Sequence, residues 1–235
     1  MNIDPIGTVR SCFGGKFAVP RQPGLCPSAW GRLEFYPEYR SPEAIRGIEG
    51  FSHLWLIFGF HETLEQGWKP TVRPPRLGGN QRAGVFASRS TFRPNGLGLS
   101  LVRLEGIDLT SVGAPVLLLG GLDLIDGTPI YDVKPYLPYA EALPDASQGF
   151  ASGEIPRLTV SVEASAEEDF ARLSPRARQV LLEALSLDPR PATRVRDEER
   201  VFGALLCGCN VRFIINERLC LICEIQQAEG SGLNA

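Results

Sequence analysis

The chain has 235 residues, 43% of them hydrophobic and 22% charged, enough to bury one full core and a small second one, which excludes a disordered or fibrous chain. Its longest apolar run, Leu54 to Phe60, falls far short of the roughly 20 residues that cross a bilayer, and Met1-Asn2-Ile3-Asp4 lacks a basic stretch leading into an apolar one. Six cysteines at this length do not make a dense disulfide framework, so a cytoplasmic, reducing setting with no membrane is expected.

Short runs with period-two alternation or β-branched and aromatic residues recur at Ile6 to Arg10, Arg32 to Tyr36, Ser52 to Phe60, Gly84 to Ser88, Leu99 to Leu104, Val116 to Leu122 and Ile130 to Val133. These read as strands. Glycine- and proline-rich connectors separate them, and no long helical pattern supplies crossovers for a parallel sheet. A mainly β fold is predicted, with an N-terminal antiparallel β-barrel that removes the exposed edges of so many short strands. After Asp145 a small-residue stretch reads as a linker. A strand over Leu158 to Glu163 follows, then a helix begun by Ser174-Pro175 and carried by Val180, Leu181, Ala184 and Leu185. Two last strands, Asn210 to Ile215 and Arg218 to Ile225, flank an Asn216-Glu217 turn. The expected division is a barrel over 1–145, a linker over 146–157, a small C-terminal α+β domain over 158–229 and a tail over 230–235.

The net charge of -3 conceals an uneven distribution. Between Gln66 and Leu104 lie Lys69, Arg73, Arg76, Arg82, Arg89, Arg93 and Arg103 with no acidic residue, whereas Glu105 to Asp169 is rich in carboxylates and holds only Lys134 and Arg157. With Trp68, Phe86 and Phe92 among them, the basic residues read as an anion site or an RNA face. Cys207 and Cys209 share a face only if that segment is extended, Cys220 and Cys223 lie in an apolar strand rather than in the polar, glycine-containing turn of a metal knuckle, and neither His53 nor His61 has ligand spacing, so no metal is expected. The chain also lacks a dinucleotide fingerprint, a Walker loop and a Gly-x-Ser-x-Gly elbow, which excludes the common nucleotide and hydrolase folds.

Four stretches have more distinctive wording: Ala18 to Gly24 (AVPRQPG), Arg73 to Arg76 (RPPR), Gly84 to Asn95 (GVFASRSTFRPN) and Leu122 to Tyr136 (LDLIDGTPIYDVKPY). Together they closely resemble the TsaA-like (TrmO-type) family, the tRNA (adenine-N6)-methyltransferases that act on threonylcarbamoyladenosine next to the anticodon. The resemblance runs from Ile6 to Asp145 and continues more weakly at Asp188-Pro189-Arg190-Pro191, Arg194 and Asn210-Val211-Arg212-Phe213. It departs at Asn95-Gly96-Leu97-Gly98, where the family has Asn-Pro-Ile-Gly, and at Thr193, where an aromatic is common.

The resemblance implies a non-Rossmann, S-adenosyl-L-methionine-dependent barrel, a homodimer, and tRNA carrying threonylcarbamoyladenosine as partner. It places the cofactor on Pro20, Arg21, Gln22, His61, Glu62, Arg89, Leu99, Asp126, Gly127, Thr128 and Pro129. An arginine there suits a cofactor carboxylate and an apolar residue suits an adenine ring. His61, Glu62 and Asp126 are the candidate proton acceptors, with no choice among them from sequence. Lys69, Arg73, Arg76, Arg82 and Arg93 of the basic block, with Arg190 and Arg194 of the second domain, are the expected RNA contacts. Two other readings stay open: a noncatalytic RNA-binding barrel, and an S-adenosylmethionine enzyme acting on a small acidic metabolite.

Overall fold

The computed structural model describes residues 3–190 and 200–228. Strands β1 (Gly7–Ser11), β2 (Trp30–Phe35), β3 (His53–Gly59), β6 (Leu97–Asp108), β7 (Val116–Gly120) and β8 (Thr128–Pro135) close into a barrel in the order β1-β2-β7-β6-β3-β8, every neighbour antiparallel. Alternation dictates the inward face: Leu54, Leu56 and Phe58 of β3 are buried, while His53, Trp55 and Ile57 between them are partly exposed. A bulge between Leu104 and Gly106 bends the long β6 so that it reaches both β3 and β7. The two-residue strands β4 (Thr71–Val72) and β5 (Ala83–Gly84) pair separately in the long β3–β6 connection.

The strand registers put one end of every barrel strand on a common rim. Ser11 lies opposite Gly31, Trp30 opposite Gly120, Gly59 opposite Leu97 and Val9 opposite Thr128. Three connections therefore leave from this rim: 12–29, 60–96 and 121–127. The connections 36–52 and 109–115 lie at the other end.

A short helix, α1 (Pro138–Glu141), follows the barrel. The second unit is a four-stranded sheet of order β10-β11-β12-β9, built from β9 (Thr159–Val162), β10 (Val201–Leu206), β11 (Cys209–Asn216) and β12 (Leu219–Gln227), with β9 parallel to β12. Helices α2 (Glu167–Arg172) and α3 (Pro175–Ser186) complete it. Helix α3 starts as its sequence dictates, with Pro175 in the first turn and the Ser174 hydroxyl accepting the Ala177 amide at 3.2 Å. Its buried face, Val180, Leu181, Ala184 and Leu185, packs into a core that the second unit does not build alone. Cys12, Phe13, Ala18, Cys26 and Ala29 of the β1–β2 connection belong to the same core. Phe17 stacks on Phe202 and Phe213 with ring centroids 5.9 and 6.1 Å away.

Three local expectations change. Gly84 to Ser88 is a strand only to Gly84; Val85–Ala87 turns as a 3-10 helix because Arg93 takes the carbonyls of Val85 and Ser88 at 3.2 and 2.8 Å, leaving them no ladder. Strand β10 is an addition to the sequence reading. The last turn falls at Glu217 and Arg218, with Glu217 at φ 49.

Candidate functional site at the barrel rim

The positions singled out in sequence come from all three rim connections, and the structure divides them into groups. In the first group, Arg89 donates to the side-chain oxygen of Gln22 and its charge reaches Asp123, whose carboxylate accepts the hydroxyl of Ser100. Ser100 is fully buried, whereas its neighbour Leu99 points away and is 54% exposed. The backbone fastens these loops together, since the Gly24 amide donates to the Gly121 carbonyl at 2.9 Å.

In the second group, Lys16 bridges the Glu62 carboxylate at 3.0 Å and donates to its backbone carbonyl at 2.6 Å. The hydrogen bond and charge of Lys16 hold the Glu62 carboxyl below its ordinary range. His61 turns Nε2 toward Glu62 at 3.8 Å.

In the third group, Asp126 is tied into the barrel. One oxygen accepts the Ser11 amide at 2.9 Å and the other faces Arg10 at 3.4 Å, while its own amide donates to the Phe13 carbonyl at 2.8 Å. Gly127 follows at φ 81, in the left-handed region that favours glycine, and the Thr128 hydroxyl is buried on the Ile125 carbonyl. Pro129 packs beside Gly59.

Pro20 is buried, and Arg21 turns from the rim toward the second unit, where it donates to the Arg190 carbonyl at 3.4 Å. Burial lowers the Arg21 pKa against the opposing pull of Asp188. A cleft of about 150 Å³ between the units is lined by Lys16, Arg21, Leu187 and Asp188 among others. A larger cavity of about 560 Å³ lies on the second unit between Asp169, Arg212 and Gln226, remote in sequence from every rim residue.

The basic block is less available than its composition indicates. Arg76 donates to the carbonyls of Ala151, Gly153 and Glu154, fastening the stretch expected as a linker. Arg93 is spent on Val85 and Ser88, Arg82 donates to the Thr71 hydroxyl at 2.8 Å, and Lys69 sits 3.9 Å above the Phe92 ring. Arg73 is exposed and has no ion pair among the described residues. Arg190 is 3% exposed and meets Asp188 through two contacts of 2.9 Å, so its guanidinium is engaged within the fold. Arg194 lies outside the described residues.

The departure at Gly96 is structural. Its φ of 59 is closed to proline, and its amide donates to the Arg93 carbonyl at 3.1 Å, a bond proline lacks. The cysteines are free, and among the described residues no cluster of three ligand-type side chains could hold a metal. Burial, with neighbouring Asp188 and Cys223, pushes the Cys220 thiol up to about 12. Sequence reasoning missed Asp123 and Ser100; the signal available was Asp123 within the quoted Leu122-Asp123-Leu124-Ile125-Asp126-Gly127 stretch.

The closed antiparallel barrel sets the first unit apart from the parallel-sheet nucleotide folds. Residues 8–142 match the family model of the tRNA-methyltransferase O N-terminal domain, and residues 155–228 match the TrmO C-terminal domain. The chain belongs to the tRNA-methyltransferase O family. It is 50% identical to the tRNA (adenine(37)-N6)-methyltransferase of Escherichia coli over 91% of this chain and 93% of that protein. It is 45% identical to a putative S-adenosylmethionine-dependent methyltransferase, RcsF, of Pseudomonas aeruginosa, over 90% and 91%. A crystal structure of TrmO from P. aeruginosa superposes with a TM-score of 0.79 at 37% identity, covering 97% of each chain. Among the described residues, no helix is long and apolar enough to cross a membrane.

Proposed function

We propose that this chain is an S-adenosyl-L-methionine-dependent tRNA (adenine-N6)-methyltransferase that acts on threonylcarbamoyladenosine 3' of the anticodon, working in the cytoplasm as a homodimer. The observation that carries the reading is the match to both family domains, supported by the meeting of three polar connections on one barrel rim. The donor set suits the cofactor. Arg89 donates to a neutral amide that a cofactor carboxylate could displace, the exposed Leu99 offers an apolar cover for a base, and the Glu62 carboxylate offers a complement to a cation. When bound, S-adenosylmethionine supplies a methyl group on a sulfonium.

The chain's own part is mostly positioning, because methyl transfer needs alignment more than covalent help. Exposed Leu64, Trp68 and Phe86 on the 60–96 connection offer apolar surface for an unstacked base or for a second copy of the chain. Arg73 offers an uncommitted charge to phosphate. An anticodon-loop adenosine is already single-stranded, so no duplex need be melted.

The test is to incubate the purified chain with methyl-labelled S-adenosylmethionine and tRNA, then analyse nucleosides by mass. One added methyl on threonylcarbamoyladenosine, absent when the tRNA lacks that modification, is the expected result. Label on unmodified adenosine, or turnover with an acidic metabolite in place of tRNA, overturns the substrate assignment; tRNA binding without transfer overturns the enzyme assignment.

A further inference from the structure

The β7–β8 connection carries two aspartates, and their surroundings give them different work. Asp126 has both oxygens committed, to the Ser11 amide and to Arg10. Its contacts are those of a brace between β1 and β8. Asp123 is held by the burial of Leu122 and Leu124 on either side, and its carboxylate receives a single side-chain hydrogen bond, from Ser100 of β6. Arg89 is the charged group that faces it, and among the described residues Asp123 has no ion pair. Glu62, by contrast, is already neutralised by Lys16, and His61 faces Glu62.

Resting on the methyl-transfer reading above, we propose that Asp123 is the proton acceptor of the reaction, with Ser100 as its positioning residue. As the new N6–methyl bond forms, the N6–H bond breaks and the proton passes to the Asp123 carboxylate. The methyl–sulfur bonding pair stays on the donor sulfur, which becomes a neutral thioether. The acceptor nitrogen is conjugated and weakly nucleophilic, so removing its proton raises electron density where the bond forms.

Burial pushes the Asp123 carboxyl up from 3.8 to about 6, against the hydrogen bond from Ser100 and the charge of Arg89. A base of that strength is ionised at neutral pH yet takes a proton more readily than an ordinary carboxylate. Because the folded value is the higher one, the ionised group disfavours the fold above pH about 6, and the effect vanishes as pH falls through about 4.

The experiment uses the full chain with saturating tRNA and S-adenosylmethionine. Asp123→Asn is expected to lower kcat by about 100-fold or more, with calorimetric affinity for the cofactor within a few-fold of wild type. The same variant should have a higher Tm than wild type at pH 8, the gap closing in acid, a readout that needs no activity. Wild-type kcat should fall below pH about 6, and Ser100→Ala should move that limb upward, since the lost hydrogen bond favoured ionisation. Wild-type kcat in Asp123→Asn overturns the proposal, and so does a parallel loss of cofactor affinity, which makes Asp123 a cofactor ligand instead. Wild-type protein that neither binds cofactor nor methylates tRNA overturns the functional reading itself, and this assignment with it.

Discussion

The two cores of the molecule are built by different rules. The barrel core is enclosed mainly by its own strands, with Val9, Leu33, Leu56, Leu119 and Ile130 projecting inward from a closed circuit. The second core borrows Cys12, Phe13, Ala18, Cys26 and Ala29 from the β1–β2 connection, the stretch that also carries Pro20, Arg21 and Gln22. Polar contacts reinforce the loan. Glu183 of α3 accepts the Ser28 amide and hydroxyl at 2.9 and 3.0 Å, Arg157 donates to the Leu25 carbonyl at 2.9 Å, and the Phe13–Leu206 bridge joins β1's extension to β10. A domain that reads in sequence as an appended tRNA reader is, physically, part of the frame of a candidate cofactor loop.

The largest expected effect follows from removing that frame. Ending the chain after Asp145 leaves the barrel core whole but uncovers Phe13, Phe17 and Ala18, so S-adenosylmethionine affinity should fall at least about tenfold, worth about 1.4 kcal/mol. Calorimetry on the truncated protein reads this. Unchanged affinity would mean that the second unit is only appended.

A smaller effect is expected at Arg176. It reaches from α3 to Glu105 of β6 through two hydrogen bonds of 2.9 Å and donates to the Ser28 carbonyl at 2.9 Å. Burial works against the Glu105 charge, but Arg176 and Arg103 more than offset it and hold its carboxyl below the ordinary range. Arg176→Ala should cost about 1–3 kcal/mol in urea unfolding. The folded value being the lower one, this contribution is present above the ordinary carboxylate pKa and lost as pH falls through the folded value. The gap between variant and wild type should therefore narrow in acid to what the Ser28 contact contributes; a constant gap would mean that the ion pair adds no stability.

The smallest effect separates two arginines of one motif. Arg73→Ala should lower the salt slope of tRNA binding by about one unit or slightly less, as expected for one lost phosphate contact. Arg76→Ala should leave the slope alone and instead raise amide exchange in 149–154, where its carbonyl partners lie. Equal slopes for both variants would return Arg76 to the RNA face.

The barrel was legible because alternation is local: Leu54, Leu56 and Phe58 declare their inward face within one strand. Strand β10 was hidden because Gly203 and Ala204 dilute the β-forming signal, although Phe202, Ala204 and Leu206 keep the period. The candidate site was only partly legible. The quoted stretches bring Gln22, Arg89 and Asp126 to the same rim, but a sequence cannot say which carboxylates and arginines are already taken. Arg190, spent on Asp188, and Asp123, engaged by Ser100, depend on contacts visible only once the chain is folded.

Cofactor binding on this one rim, where the connection shared by both cores meets the 60–96 and 121–127 connections, should slow backbone amide exchange there. Amide hydrogen exchange of the full chain with and without S-adenosylmethionine tests it directly. Protection should concentrate in 12–29, 60–62, 88–93 and 121–127. Protection at the opposite rim, in 36–52 and 109–115, or confined to the cavity around Arg212, would contradict it.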